Sequence, residues 1–364
     1  MPGSRPVGDA DPAGRSRLLL LAMYRLSDVA SGPTVRVSAV RDALAERVDL
    51  DVISGTRWER AGALLRYVAR GRLRGLAGIY VESSSILPGP IDLLFMAWAR
   101  MRGVRVLTYI RDAYQLFPEY YPTPSLKQRV SRLAFLPTMR ALRRVSTTVA
   151  FPSRGLARAV LGEGLAAERA MLLPPGARLP DVGPLDPAAR AVLYVGTLGY
   201  AVSGSAILLD GMQLARERGH DLELICVTPS QDRPSEPHPA WLRTAVGSGD
   251  QITDLLSQVL MTVSPRRQTP YNDLAVPIKV MEYLGYGRPL VVTDTTETAA
   301  IVRAAECGVV VPDTAEGIAD GIAAIAGATT AQIERWGASA RLAAAANSWD
   351  ARAAYILQTL EVAQ

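Results

Sequence analysis

Short apolar runs alternate along the chain with longer stretches in which apolar positions recur every three or four residues. In the first half the runs are RLLLLAM (17–23), LDVIS (50–54), IYVES (79–83), VRVLTYI (104–110), TTVAFPS (147–153) and AMLLPPG (170–176). They are apolar on both faces, as strands of a parallel sheet covered on both sides must be. Helical spacing fills the intervals, which is the βαβ pattern. A proline-rich stretch, ARLPDVGPLDPAAR (177–190), interrupts it and reads as an interdomain linker. The pattern then restarts with AVLYVGT (191–197), LELICVT (222–228), VLMTVSP (259–265), PLVVT (289–293) and CGVVVP (307–312). Helices are expected near 203–219, at 314–326 and 329–346, and from NSWDARAAYILQTL (347–360). The fold class is therefore α/β, with two tandem doubly wound, Rossmann-like domains. The expected divisions are a disordered leader at 1–16, domains at 17–180 and 181–346, and a terminal helix at 347–364 that returns to the first domain.

Ligands of open α/β sheets bind beyond the carboxyl ends of the strands. The loops to inspect are SDVASGP (27–33), the segment after Glu82, RDAYQLFPEYY (111–121), GTLGYAVSG (196–204), SPRRQTPYND (264–273) and TDTTET (293–298). Two such domains set face to face would place these loops around one cleft.

Composition narrows the chemistry. The 364 residues contain two cysteines and two histidines, so neither a disulfide framework nor a His-rich metal site is expected. No apolar run reaches the roughly 18 residues of a membrane span, and the polar start does not read as a signal peptide. These features fit a cytoplasmic protein. The formal charge of +5 hides an asymmetry. Residues 1–180 carry 27 Lys and Arg against 14 Asp and Glu, and the remainder 13 against 21. The basic residues concentrate in two helical patterns, 57–76 and 126–145. They read either as Arg-rich solvated faces or as a surface for anionic lipid at the inner face of a membrane, with Trp58, Tyr67 and Phe135 as inserting groups. No nucleic-acid-binding module accompanies them.

The chain has 38 arginines and two lysines, Lys127 and Lys279. Lys279 follows Pro277, a residue suited to a helix start, and lies three residues before Glu282, on the same helix face. An ammonium there opposes the helix dipole but suits a phosphate. Glu282, one turn deeper, could accept ribose hydroxyls. Spacing alone favours an ordinary ion pair between them.

VPIKVMEYLGYGRPLVVTD (276–294) resembles the carboxyl-domain motif of GT-B-fold glycosyltransferases of the family 4-like, group 1 type. LTYIRDAYQLFP, FPSRGLARAVL, LLPPG, VLYVGTLGYAVSG and NSWDARA extend the resemblance over most of the chain. It implies a first domain that binds the acceptor and a second that binds a nucleotide-diphosphate sugar. Glu282 would hold the donor ribose, and Lys279 the diphosphate. Gly196 and Thr197 would offer backbone N–H groups to the phosphates. Gly32, Glu82 and Arg111 fall on the acceptor side, and Asp112 is the catalytic candidate, with Glu119 a weaker one. The implied reaction is metal-independent sugar transfer to a hydroxyl, with retention and no cofactor, in cell-surface glycan or glycolipid synthesis. The acceptor would be a glycan or a lipid-linked molecule. A nucleotide-sugar epimerase of the same fold and a non-catalytic nucleotide-sugar-binding subunit are the alternatives.

Departures from the family pattern are specific. Leu274 stands where a sugar-contacting glutamate is usual, Arg111 where a histidine is usual, and GTLGYAVSG lacks the usual Arg and Lys. Arg266, with Arg267 beside it, is the candidate replacement for that charge. The DLD at 49–51 opens a strand instead of closing one, so it is not read as a metal motif. GTLGYAVSG is not the GxGxxG fingerprint, so NAD is not expected.

Overall fold

The computed structural model describes residues 15–26, 32–83, 86–117, 124–164, 170–198, 203–228, 238–247 and 250–363. The expected leader, the loop 27–31, Glu119 and part of the loop after Gly196 lie outside them. One sheet is built from β1 (Arg17–Ala22), β2 (Asp49–Ile53), β3 (Leu76–Ser83), β4 (Arg105–Ile110), β5 (Thr148–Phe151) and β6 (Ala170–Leu172), in the order β2-β1-β3-β4-β5-β6. The other comprises β7 (Ala191–Val195), β8 (Glu223–Thr228), β9 (Leu242–Val246), β10 (Val259–Ser264), β11 (Leu290–Thr293) and β12 (Gly308–Val311), in the order β12-β11-β10-β7-β8-β9. Every pairing is parallel.

The first sheet is flanked by α1 (Gly32–Ala45), α2 (Arg57–Ala69), α3 (Pro90–Met101), α4 (Leu126–Val145) and α5 (Arg154–Leu161). The second is flanked by α6 (Ser205–Glu217), a single turn α7 (Asp250–Thr253), α8 (Ile278–Tyr286), α9 (Thr296–Ala305), α10 (Ala315–Ala326) and α11 (Thr330–Ala346). The last helix, α12 (Trp349–Leu360), packs on the first domain, against α1, β3 and β4.

β1 shows why the sheets form. Its alternating side chains enter two separate cores: Leu19 and Leu21 join Ile79, Val81 and Val106, while Leu18 and Leu20 join Val37, Leu44 and Leu107. Ile356, Leu357 and Leu360 of α12 close the second of these cores. Although β2 exposes Asp49 and Val52 at the edge of the first sheet, each strand lies on an expected apolar run except β9. That strand is half-exposed at the sheet edge and its sequence, LRTAV, lacks the continuous apolar run of its neighbours. The DLD carboxylate Asp51 is structural: it accepts from the Tyr67 hydroxyl at 2.8 Å and pairs with Arg72.

The chain crosses between the domains twice. The segment after β6 and the residues joining α11 to α12 run side by side, with Ala177 donating to Asn347 O at 2.8 Å and pairing in parallel with Ser348. Gly176 lies so close to Trp349 that a Cβ would sit 2.5 Å from its ring. The second sheet reverses its strand order between β7 and β10, the first between β1 and β3. These are the switch points where such sheets hold ligands.

Candidate active site in the interdomain cleft

Hydrogen bonds join the two domains. Tyr271 donates its hydroxyl to Asp112 Oδ1 at 2.8 Å, Ser153 Oγ donates to Leu274 O at 2.5 Å, and Gly155 N donates to Glu297 Oε1 at 2.9 Å. Beside these contacts lies a cavity of about 200 Å³ lined from the first domain by Arg36, Arg111 and Asp112, and from the second by Arg266, Tyr271 and Leu274. Of the expected residues, Arg111, Asp112 and Arg266 therefore share one cavity.

Asp112 is placed by the end of β4, where Arg111 N donates to Ser83 O. Its second oxygen accepts from Arg111 Nε at 2.6 Å. The Tyr271 ring that reaches it is fixed between Tyr114, 4.5 Å away between centroids, and Phe117 at 5.3 Å. Burial, then Asp112, pushes the Tyr271 phenol well up, so it stays a donor. Leu274 gives the cavity an apolar patch where the family pattern would put a carboxylate.

Glu82 does not reach the acceptor side as a free carboxylate. It is fully buried, accepting from Arg36 Nε at 3.0 Å and from the Tyr80 hydroxyl at 2.6 Å. Its role is to hold Arg36, which faces the cavity in its place. Gly32 opens α1, the helix that carries Arg36. Sequence reading passes over Arg36 because one arginine among 38 carries no signal.

Lys279 and Glu282 lie in the first two turns of α8, and Pro277 stands at its N-cap. No ion pair joins Lys279 to Glu282, which removes the ordinary pair as their explanation. Lys279 Nζ donates instead to Val195 O at 3.3 Å, the last residue of β7, and sits 4.4 Å over the Tyr194 ring. That is the switch point of the second sheet. Burial and the neighbouring Arg266 push the ammonium down to about 7, with Cys226 opposing weakly. Burial also raises the Glu282 carboxyl, and Arg178 lowers it in part. Neither residue lines the cavity itself, though Pro277 and Ile278 do. Arg266 donates to Asn272 Oδ1 and, among the described residues, has no carboxylate partner; Arg267 pairs with Asp313 at 3.3 Å and turns away.

Gly196 corrects the expectation of a phosphate-facing amide. Its N–H donates to Val227 O at 2.9 Å, and its φ of 153° with Tyr194 Oη 2.7 Å from a Cβ position explains the glycine. Thr197 follows at the β7 end, its carbonyl accepting from the Tyr194 hydroxyl at 3.4 Å. The two basic helices also differ from expectation in part. Trp58 is exposed, but Tyr67 and Phe135 are buried in the core. Both cysteines are free and buried, and among the described residues no group of three or more His, Cys, Asp or Glu is placed to hold a metal. No helix among the described residues is long and apolar enough to cross a membrane.

Comparison with known proteins identifies the fold. Residues 189–327 match the family model described as glycosyl transferases group 1. No curated protein sequence matches the chain. Among solved structures, sucrose-phosphate synthase from Thermosynechococcus elongatus is 16% identical with a TM-score of 0.60, over 95% of this chain and 98% of that one. Anabaena HepE, solved with UDP-glucose, is 16% identical with a TM-score of 0.63 over 95% and 99%. A glycosyltransferase from Rickettsia africae is 12% identical with a TM-score of 0.64 over 96% and 98%. The architecture of two parallel six-stranded sheets with a cleft between them is thus the GT-B fold, and within its second domain residues 189–327 match the group 1 glycosyltransferase model.

Proposed function

We propose that the protein moves a sugar from a nucleotide-diphosphate sugar to an acceptor hydroxyl held in the interdomain cleft. The observation that carries this reading is the pair Lys279 and Arg266 at the second sheet's switch point, neither matched by a carboxylate among the described residues. A lysine depressed first by burial and then by a second cation marks a site short of negative charge, and a diphosphate supplies it. Glu282, one turn deeper on α8 and also unpaired, is left for the ribose hydroxyls. That HepE was solved with UDP-glucose supports a donor of the same class.

The reaction runs with retention and without a metal. The diphosphate oxygen leaves as the acceptor oxygen arrives on the same face and takes the acceptor proton. Arg266 and Lys279 stabilise the charge that develops on the leaving group. Asp112, clamped by Arg111 and Tyr271, orients the acceptor hydroxyl. The acceptor is a glycan or a lipid-linked molecule met at a membrane surface, and the product serves cell-surface glycan or glycolipid synthesis. Helix α4 supports this: Leu126, Val130, Leu133 and Leu136 are exposed along one stripe, with Lys127, Arg129, Arg140 and Arg144 exposed around them. Such a face suits the anionic inner surface of a membrane. Incubation of labelled UDP-, GDP- and ADP-sugars with and without extracted lipid-linked acceptors tests the reading. Acceptor-dependent release of the diphosphate is expected. Binding without turnover, or isomerisation of the donor sugar without acceptor, would refute transfer.

A further inference from the structure

Three arginines are all but completely buried: Arg36, Arg60 and Arg288. Two are fully used by the fold. Arg60 gives Nε and Nη2 to Asp92 and Nη1 to Met23 O and Gly55 O. Arg288 gives Nε to Val259 O, Nη1 to Tyr286 O and Nη2 to Leu256 O. Arg36 differs. Nε is held by Glu82 and Nη2 lies 3.4 Å from the Tyr80 hydroxyl, but Nη1 has no partner. It is also the one of the three that lines the cleft cavity. Arg111, on the same wall, repeats the arrangement: Nε is taken by Asp112 and Nη1 is buried without a partner. A buried guanidinium N–H left unpaired costs free energy, and native structures rarely leave one without a reason.

Both guanidinia are also braced against movement. Arg36 stacks on the Tyr109 ring, 3.7 Å from its centroid, and Arg111 lies 6.0 Å from the Tyr24 centroid. Each is fixed by a carboxylate at Nε with its far nitrogen buried and without a partner. Two preset donors of this kind suit a tetrahedral oxyanion, because planar guanidinia bind phosphate oxygens with defined direction.

We propose that Arg36 and Arg111 form an anion subsite on the first-domain wall of the cleft, and that it recognises a phosphate monoester on the acceptor. This rests on the transferase reading and deepens it. The donor cations Lys279 and Arg266 belong to the opposite domain, and Arg266 lines the same cavity, so the two anion sites face each other across it, with Asp112 beside the first. The acceptor phosphate is then held at a fixed distance from the hydroxyl that attacks. The phosphate can belong to a free sugar phosphate or to a phosphorylated lipid headgroup.

Calorimetry with inorganic phosphate on the full chain, alone and with a saturating nucleoside diphosphate chosen from UDP, GDP and ADP, tests the subsite. Phosphate is expected to bind in both conditions. Arg111→Gln is expected to weaken it about tenfold or more, with nucleoside diphosphate affinity changed less than about twofold. Arg36→Lys, checked by its thermal melt because Glu82 depends on Arg36, should act in the same way. A monosaccharide phosphate that competes with phosphate identifies a free acceptor; competition by phosphatidic acid vesicles alone identifies a lipid headgroup. Three results would overturn the subsite: no phosphate binding, displacement of phosphate by the nucleoside diphosphate, or equal loss of both ligands in Arg111→Gln. Failure of every nucleoside diphosphate to bind would strike the donor reading and leave the phosphate result standing.

Discussion

Changing the pH across the range 6 to 9 perturbs one donor-site charge selectively. Lys279 titrates near 7 in the ligand-free protein, where an exposed lysine titrates at 10.5. A diphosphate in contact with the ammonium restores it to its ordinary range or above. Binding therefore takes up a proton wherever the free lysine is neutral and the bound one is charged. At pH 8 the uptake is about 0.9 proton per diphosphate, and above pH 7 affinity falls about tenfold per pH unit, or about 1.4 kcal/mol. Between pH 7 and 9 the loss is about 50-fold, since the lysine is already half neutral at pH 7. The assay is titration calorimetry of UDP, GDP or ADP in two buffers of different ionisation enthalpy, which counts the protons directly. Two titrating neighbours, the Tyr194 phenol and the Cys226 thiol, are both pushed up to about 12 by burial and stay out of the window. Lys279→Met should flatten the profile. Flat affinity from pH 7 to 9 in the natural protein, with no proton uptake, would refute the assignment of Lys279 to the phosphates. The same shift has an opposite signature in folding. The unfolded chain binds the extra proton between about pH 7 and 10.5, so the ligand-free protein gains stability from this group as pH rises through that window.

Other outcomes follow from single contacts. Asp112→Asn should lower turnover by 10-fold or more, on the order of the loss of one charged hydrogen bond, and leave nucleotide affinity intact; steady-state kinetics beside calorimetry separate the two. Gly204→Ala should unfold the second domain or lower its melting temperature sharply, because φ is +73° and a Cβ would sit 1.5 Å from Pro265 O; a native melt would show that the β10 loop can shift. Leu133→Glu should weaken co-sedimentation with anionic vesicles by removing about 1.5–3 kcal/mol of apolar burial without altering the melt, since Leu133 is 80% exposed. Unchanged sedimentation would leave α4 as a solvated face.

The strands were legible because burial on both faces writes continuous apolar runs, as in LLLLA of β1, VLTYI of β4 and VLMTVS of β10. The edge strand β9 is wetted and writes no such run. Lys279 was legible for a compositional reason: a lysine in a chain that otherwise uses arginine stands out. The same composition hid Arg36, and it gave no means of pairing Glu82 with it across 46 residues. Tyr271 was equally silent, since its meaning comes from a contact with Asp112 across the domain boundary. The Gly196 amide was not legible either, because a glycine at a strand end signals tight backbone without saying what it closes on, and here its N–H donates to Val227 O.

The paired crossing at Ala177 and Ser348 limits how the cleft can change its width. A single covalent strand between two bodies acts as a swivel and leaves all three rotations free. Two strands tied side by side by a backbone bond, with Gly176 pressed on Trp349, resist twisting and leave one easy axis, along which the bodies bend. Opening the molecule about that axis parts Tyr271 from Asp112, Ser153 from Leu274 O and Gly155 from Glu297. Admission of a substrate and release of the Asp112 carboxylate are then one mechanical event.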